Sequence, residues 1–386
     1  MRITDVRTIP VFAEHRNINY LITKVETDKG IYGIGESAVT GKECATRGVI
    51  EHFRDVLIGE DPRRIDHLWQ RMFRGSFFKA GPILGAAISA IDIALWDIKG
   101  KSYGVPVWEL LGGKCRDGVI CYPHVVGDSI ESLLADVDRA LGQSYKFVRF
   151  GIPGFEISGQ RGLMGVLEPR QIVRTTIEVT QAVRDHVGPN VEICVDFHTR
   201  LDPNEAVRLC KGLEPLEIFF AEDPVRSERP DAYAYVRKHT HVPIAGGEEL
   251  ASKWEFQPLI EGDLIDYIRM DLCIVGGFTE ARKIAGWAES HYQYLAPHSP
   301  MGPVSLAACV HLDIASPLVG VQELPEVPGA VSDVFPQQMT FEDGHLVAPT
   351  LPGIGVDIDE EAAADHPFQA RPMNELRRRD GSVTNW

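Results

Sequence analysis

Val191-Glu192-Ile193-Cys194-Val195-Asp196-Phe197-His198 is an apolar run of strand length that ends in a carboxylate and an imidazole. The same design recurs twice downstream. Ile218-Phe219-Phe220-Ala221 runs into Glu222-Asp223-Pro224, and Val242-Pro243-Ile244-Ala245-Gly246 runs into Gly247-Glu248-Glu249. The acids Asp196, Glu222 and Glu248 stand 26 residues apart at each step. That step is the length of one strand, one turn and one helix, so the spacing predicts parallel strands joined by helical crossovers.

The pattern extends in both directions. Val119–Tyr122 and Phe147–Phe150 precede the triplet; Tyr267–Met270, Tyr294–Ala296 and Gly320–Gln322 follow it. Helical spacing fills the gaps, as in Ala281, Ile284, Ala285 and Ala288, or Leu306, Cys309, Val310 and Asp313, the last a polar break in its stripe. Eight such strands over residues 114–345 predict an α/β chain folded as a (β/α) TIM-type barrel. An open doubly wound sheet is the competing architecture, but no Gly-x-Gly-x-x-Gly opens a first strand–helix turn. Residues 1–113 read differently. Tyr20–Glu26 and Ile31–Glu36 flank the Asp28-Lys29-Gly30 turn as a meander, a long helix follows from Ile83 to Lys101, and Gly112-Gly113 marks a boundary. The expected organisation is an α+β domain over 1–113, the barrel over 114–345, and a C-terminal segment over 346–386.

Composition narrows the function. The 386 residues carry a formal charge of −16, which argues against nucleic acid as a partner. No apolar run approaches the roughly 20 residues a membrane span needs, and Met1–Asp5 has no signal core. The seven cysteines are scattered, which reads as reduced thiols in a cytoplasm. The Arg377-Arg378-Arg379 run reads as a solvated tail or a local ion-paired face.

A parallel barrel works at the C-terminal ends of its strands. Asp196, Glu222 and Glu248 would converge there, and three converged carboxylates repel one another unless a cation joins them. Oxygen-only ligands point to one Mg²⁺ per subunit, with Mn²⁺ as a substitute. Asp271 ends the sixth strand and His298 follows the seventh, so a carboxylate–imidazole dyad with His298 as general base is expected. Glu323 ends the eighth; desolvated and protonated, it would donate a hydrogen bond to developing negative charge. His198, two residues beyond Asp196, would face the metal and protonate a departing hydroxyl. Arg149, ending the second strand, either binds substrate or pairs with a metal-binding acid.

These residues, with Ala87-Ile88-Ser89-Ala90-Ile91-Asp92-Ile93-Ala94-Leu95-Trp96-Asp97-Ile98-Lys99-Gly100, resemble the mandelate racemase and muconate-lactonising branch of the enolase superfamily over essentially the full chain. The resemblance implies a modified, enolase-like barrel with 1–113 as a capping domain and 346–386 as a segment returning to that cap, with Pro349–Glu361 as the return. Within the branch the chain is most similar to galactonate-type sugar-acid dehydratases, through Asp196-Phe197-His198, Glu222-Asp223-Pro224-Val225, Pro243–Trp254, Ala296–Pro303 and, in the cap, Phe73-Arg74-Gly75-Ser76-Phe77-Phe78. The implied reaction removes the C2 proton of a sugar acid with His298 and expels the C3 hydroxyl with help from His198, giving a 2-keto-3-deoxy acid. A homo-oligomer is implied as well.

The chain departs from parts of the pattern. Racemases of the branch carry Lys-x-Lys where Arg149-Phe150-Gly151 stands here. A racemase or epimerase would then use His198 as its second base. Mannonate dehydratases share Thr199-Arg200-Leu201 but carry a tyrosine in the loop after strand two, and none occurs from Gly151 to Arg170. The remaining alternative is a catalytically silent sugar-acid binder.

Overall fold

The computed structural model describes residues 1–79, 81–152 and 165–385. The N-terminal layer is an antiparallel meander of β1 (Ile3–Ala13), β2 (Ile18–Thr27) and β3 (Tyr32–Ser37). Packed with it are the helices α1 (Glu43–Leu57), α2 (Ile65–Arg74), α3 (Pro82–Tyr103) and the short α4 (Val107–Leu110). Strand β3 lies almost against the backbone of α3. A Cβ at Gly33 would stand 2.0 Å from the Ala94 carbonyl oxygen, and one at Gly35 would stand 1.9 Å from that of Ala90. The approach is possible only because glycine has no Cβ, and it draws the next residue, Glu36, into the interior.

The eight expected barrel strands are present. They are β4 (Gly118–Tyr122) and β5 (Phe147–Gly151), then, after a short β6 (Gly165–Val166), β7 (Glu192–Asp196), β8 (Phe220–Glu222), β9 (Ile244–Gly246), β10 (Tyr267–Ile268), β11 (Tyr294–Leu295) and β12 (Gln322–Glu323). Strands β5, β7, β8, β9, β10 and β11 form one continuous parallel sheet in that order. Strands β12 and β4 pair in parallel. Single bridges at His124–Arg149 and Leu295–Val319 join the two groups into a ring. The register sets Gly151, Asp196 and Glu222 side by side, so these strand ends share one level. Beneath them Tyr122, Phe147, Cys194, Phe220, Ala245, Ala296 and Val321 fill the interior as a separate apolar cluster.

The helices between these strands include α5 (Ile130–Gly142), α6 (Pro169–Val187), α7 (Pro203–Leu213), α8 (Ala232–Arg237), α9 (Lys253–Glu261), α10 (Gly277–Glu289) and α11 (Pro303–Ala315). Asp313, the polar break in the α11 stripe, is fully buried all the same. Both its carboxylate oxygens lack a hydrogen-bond partner among the described residues, and burial pushes its pKa well up.

The side chains of the α3 signature explain why it is polar where a buried helix need not be. Ser89 Oγ accepts from the amides of Gly276 and Gly277, and Asp92 accepts from the Thr279 amide, so α3 caps α10 across the seam. Asp97 accepts from the amides of Ile34 and Ile354, joining the meander to the C-terminal return.

The C-terminal segment divides. The hairpin of β13 (Phe341–Glu342) and β14 (His345–Val347) pairs with β4 of the barrel. Residues 353–369 bond to the cap, through Gly353 to Val105 and through Gln369 to Asn19. They include the short α12 (Glu360–Ala363), whose Glu360 pairs with Arg7 and Lys24. The last stretch takes another course: β15 (Leu376–Arg377) lies between β6 and β16 (Val383–Thr384), and Asn385 donates to the Thr199 carbonyl in the turn after β7. Arg379 of the basic run bonds Gln171, and its amide bonds Glu168. The tail is thus held to the barrel where a return to the cap was expected. The reason is that β6, in the connection after strand two, offers it a strand edge. Among the described residues no helix is long and apolar enough to cross a membrane.

Candidate active site at the barrel mouth

Glu222, Asp223 and Glu248 place one carboxylate oxygen each within 4.8 Å of one another, all in buried positions. Glu222 and Glu248 belong to the expected triplet; Asp223 is an addition. Its Oδ1 accepts from Tyr233 and the Gly247 amide, leaving Oδ2 buried without a partner among the described residues. Glu248 Oε2 is orphaned in the same sense. Asp196 sits at the same level but turns to Arg149 Nη2 and accepts from the His198 amide at 2.7 Å.

The cluster is electrostatically stressed. Burial lifts the Glu222 carboxyl even though Arg269 and Arg149 pull it down, and burial with the charges of Glu248 and Glu222 pushes Asp223 well up. Burial also works to raise Glu248, but His298 and His198 outweigh it and hold that carboxyl down to about 2. Converging buried carboxylates with orphaned oxygens form a hard, oxygen-only donor set, which suits a small divalent cation.

The dyad forms as expected. His298 Nδ1 lies 2.8 Å from Asp271 Oδ2, and His298 Nε2 faces Glu248 Oε2 at 3.6 Å. Asp271 is fully buried and also accepts from the Cys273 amide. Burial opposes charge on the imidazole, yet Glu248, Glu323 and Asp271 together raise His298 to about 10. The leading raising influence, Glu248, is an acid whose charge a bound cation would offset.

His198 is close enough to Glu248 for its charge to act on that carboxyl, and it gets there by a route the strand pattern did not contain. Strand β7 stops at Asp196, and His198 and Thr199 both take left-handed backbone angles, φ 50° and 54°. The turn, not strand alternation, sets the backbone at His198.

Glu323 corrects an expectation. It accepts from Arg269 Nη2 at 2.8 Å, from the Ser299 amide at 2.7 Å and pairs with His124 Nε2 at 2.6 Å. Burial alone would raise it, but Arg269, His298 and His124 hold it well below the usual carboxylate range. It is an ionised acceptor rather than a protonated donor. Burial and the nearby Arg149 lower His124 to about 4, so its neutral ring donates from Nε2. For Arg149 the geometry supports the ion-pair reading: its guanidinium engages both Asp196 and Glu222.

Arg269 was not among the expected site residues. It is fully buried, bridges Glu222 at 2.6 Å and Glu323 at 2.8 Å, and donates to the carbonyls of Ala296 and Pro297. A charged residue inside the apolar run Tyr267–Met270 was the available signal, since an arginine is seldom fully buried unless paired. His124, two residues past the end of β4, had no comparable signal. The loop after strand two, whose sequence carries no tyrosine from Gly151 to Arg170, lies outside the described residues from 153 to 164.

Residues 6–112 match the family "Mandelate racemase / muconate lactonizing enzyme, N-terminal domain", and residues 135–362 match "Enolase C-terminal domain-like". A D-galactonate dehydratase of Ralstonia pickettii is 40% identical over 378 residues, spanning 95% of this chain and 96% of that protein. A D-galactonate dehydratase family member of Streptomyces bingchenggensis is 38% identical, with 95% and 94% covered. A D-mannonate dehydratase of Caulobacter vibrioides is 36% identical, with 95% and 96% covered. Among solved structures, an enolase from Pantoea ananatis with bound D-gluconate and Mg superposes with a TM-score of 0.93 at 33% identity, covering 100% of this chain and 99% of that one.

Proposed function

Because this chain belongs to the mandelate racemase / muconate lactonizing enzyme family of the enolase superfamily, we propose that it is a Mg²⁺-dependent sugar-acid dehydratase of the galactonate type. The observation that carries the reading is the junction of two elements: a hydrogen-bonded Asp271–His298 dyad, and a buried acid cluster that His298 Nε2 faces. Full-length relatives bearing galactonate and mannonate dehydratase names, and a close structural neighbour holding D-gluconate and Mg, support the substrate class.

Asp196, Glu222 and Glu248 would hold the cation, Asp196 by giving up its contact with Arg149, with the Asp223 carboxylate beside them. When bound, Mg²⁺ supplies positive charge that binds the substrate carboxylate and stabilises the charge developing there. Asp271 fixes the imidazole tautomer by accepting from Nδ1, which leaves Nε2 free to take the C2 proton. The C2 electron pair forms the C2=C3 bond as the C3–O bond breaks, and His198 gives the leaving hydroxyl its proton. The resulting enol ketonises to the 2-keto-3-deoxy acid, so the balance is loss of one water. Arg149 and Arg269 hold the acids in place, and ionised Glu323, held by Arg269 and the Ser299 amide, braces the His298 loop. A cytoplasmic setting, supported by seven cysteines that are all unpaired, and a homo-oligomeric assembly are part of the proposal.

The test is a panel of five- and six-carbon mono- and diacid sugars, including D-galactonate, D-gluconate and D-mannonate, read by carbonyl derivatisation with Mg²⁺ and with a chelator. A hit silenced by the chelator is the expected result; a blank panel would sink the dehydratase reading. The division of labour has its own check. His198→Asn is expected to keep C2 deuterium exchange within a few-fold of wild type and to lose dehydration by about 10²-fold or more. If dehydration survives the change, His198 is not the leaving-group acid.

A further inference from the structure

Glu36 ends the Gly33-Ile34-Gly35-Glu36 run of β3 and is fully buried at the seam between cap and barrel. Each of its carboxylate oxygens accepts one backbone amide from the far side of that seam. Oε1 takes Gly302 at 2.9 Å and Oε2 takes Ser305 at 2.9 Å. These are the N-cap and third-position amides of α11, which need acceptors from outside the helix. Gly302 has no side chain to supply one, and a Cβ there would stand 2.8 Å from Glu36 Oε1. The helix is therefore capped by a residue from the other domain, 266 positions away in sequence.

The loop that this helix closes, residues 298–302, carries the catalytic imidazole. The barrel holds one end of it: the His298 amide bonds Met270, its ring bonds Asp271, and the Ser299 amide bonds Glu323. The cap holds the other end. Glu36 takes the Gly302 amide, and Arg16 donates to the Met301 carbonyl at 3.2 Å. The helix after the Asp271 strand is capped the same way, by Ser89 and Asp92. Both halves of the dyad are thus followed by helices whose N-termini depend on the cap.

We propose that Glu36 is a positioning residue that couples seating of the cap to the placement of His298, so that the base is correctly held only while the cap domain is docked. The inference rests on the reading of His298 as the general base. It differs from a purely structural role because it predicts an effect on the His298 ring and on the chemical step with little effect on substrate binding.

The test uses full-length protein with ¹⁵N-labelled histidine. The Nδ1–H resonance of His298, identified by its loss in His298→Asn, is followed by NMR in the wild type, in Glu36→Gln and in Gly302→Ala. The first variant replaces one acceptor by a donor. The second keeps the charge and displaces it sterically. Both are expected to speed exchange of that proton with water by about tenfold or more. For acids of the panel that the wild type turns over, both should lower kcat by about tenfold or more with KM within about twofold. Glu36→Asp, which keeps an acceptor at shorter reach, is expected to recover part of the loss. An unchanged His298 resonance in both variants overturns the proposal, as does a fall in thermal stability alone with wild-type kcat. Wild-type C2 exchange in His298→Asn would overturn the base assignment and the catalytic coupling with it. Lost exchange there, with no effect of Glu36→Gln, would overturn only the coupling.

Discussion

His298→Asn is expected to lose C2 proton exchange and dehydration together, by about 10³-fold or more, while Mg²⁺ affinity measured by calorimetry stays within a few-fold of wild type. A positioned general base contributes typically about 10² to 10⁴ in rate. Its Nδ1 is tied to Asp271 at 2.8 Å while its Nε2 faces Glu248 at 3.6 Å. Asparagine is too short to keep the first contact and present a basic nitrogen at the second. Its amide has no useful basicity in any case. The acids of the cluster are untouched, which is why metal binding should survive. Exchange at the wild-type rate would remove His298 from the role of base.

Arg269→Met is expected to carry the largest stability cost of any single substitution at the mouth. The side chain is fully buried and its cation lies between Glu222 and Glu323 at 2.6 and 2.8 Å. Methionine nearly fills the space of the aliphatic stem but leaves two buried carboxylates without their shared counter-ion. Breaking a buried ion pair by removing one partner typically costs about 3–5 kcal/mol, and the carbonyls of Ala296 and Pro297 lose a donor besides. The Glu323 carboxyl, now held well down chiefly by Arg269, would move up. Denaturant midpoints measured in chelator should fall accordingly, and Mg²⁺ should recover part of the loss by offsetting Glu222. A change under about 1 kcal/mol in chelator would contradict this account of Arg269.

The barrel and the core of the site were legible because their signal is local. Each of Asp196, Glu222 and Glu248 announces itself at the end of an apolar run or just beyond it, and the 26-residue step needs no knowledge of packing. Asp271 and His298 follow the same logic on the next two strands. The residues that escaped are those whose meaning lies in a distant partner. Glu36 looks like an ordinary strand residue until Gly302 and Ser305 are seen against it. Ser89 and Asp92 look like polar breaks in a buried helix until α10 is docked on them. Glu323 departs from its expected protonated state for the same reason. Burial of a carboxylate argues for protonation when it is considered alone, but Arg269 and His124 reverse the sign, and no sequence spacing brings those three together. The tail escaped because β15 is two residues long and its strand partner β6 is no longer.

Proton NMR of the acid-sugar panel in D₂O, with enzyme and Mg²⁺ or with enzyme and chelator, tests the central claim most directly. The account predicts that one acid or a narrow set loses its C2 proton signal and gives a 2-keto-3-deoxy product, only when Mg²⁺ is present. Exchange at C2 with the C3 hydroxyl retained throughout, or a panel bound tightly with every C2 proton intact, would contradict it.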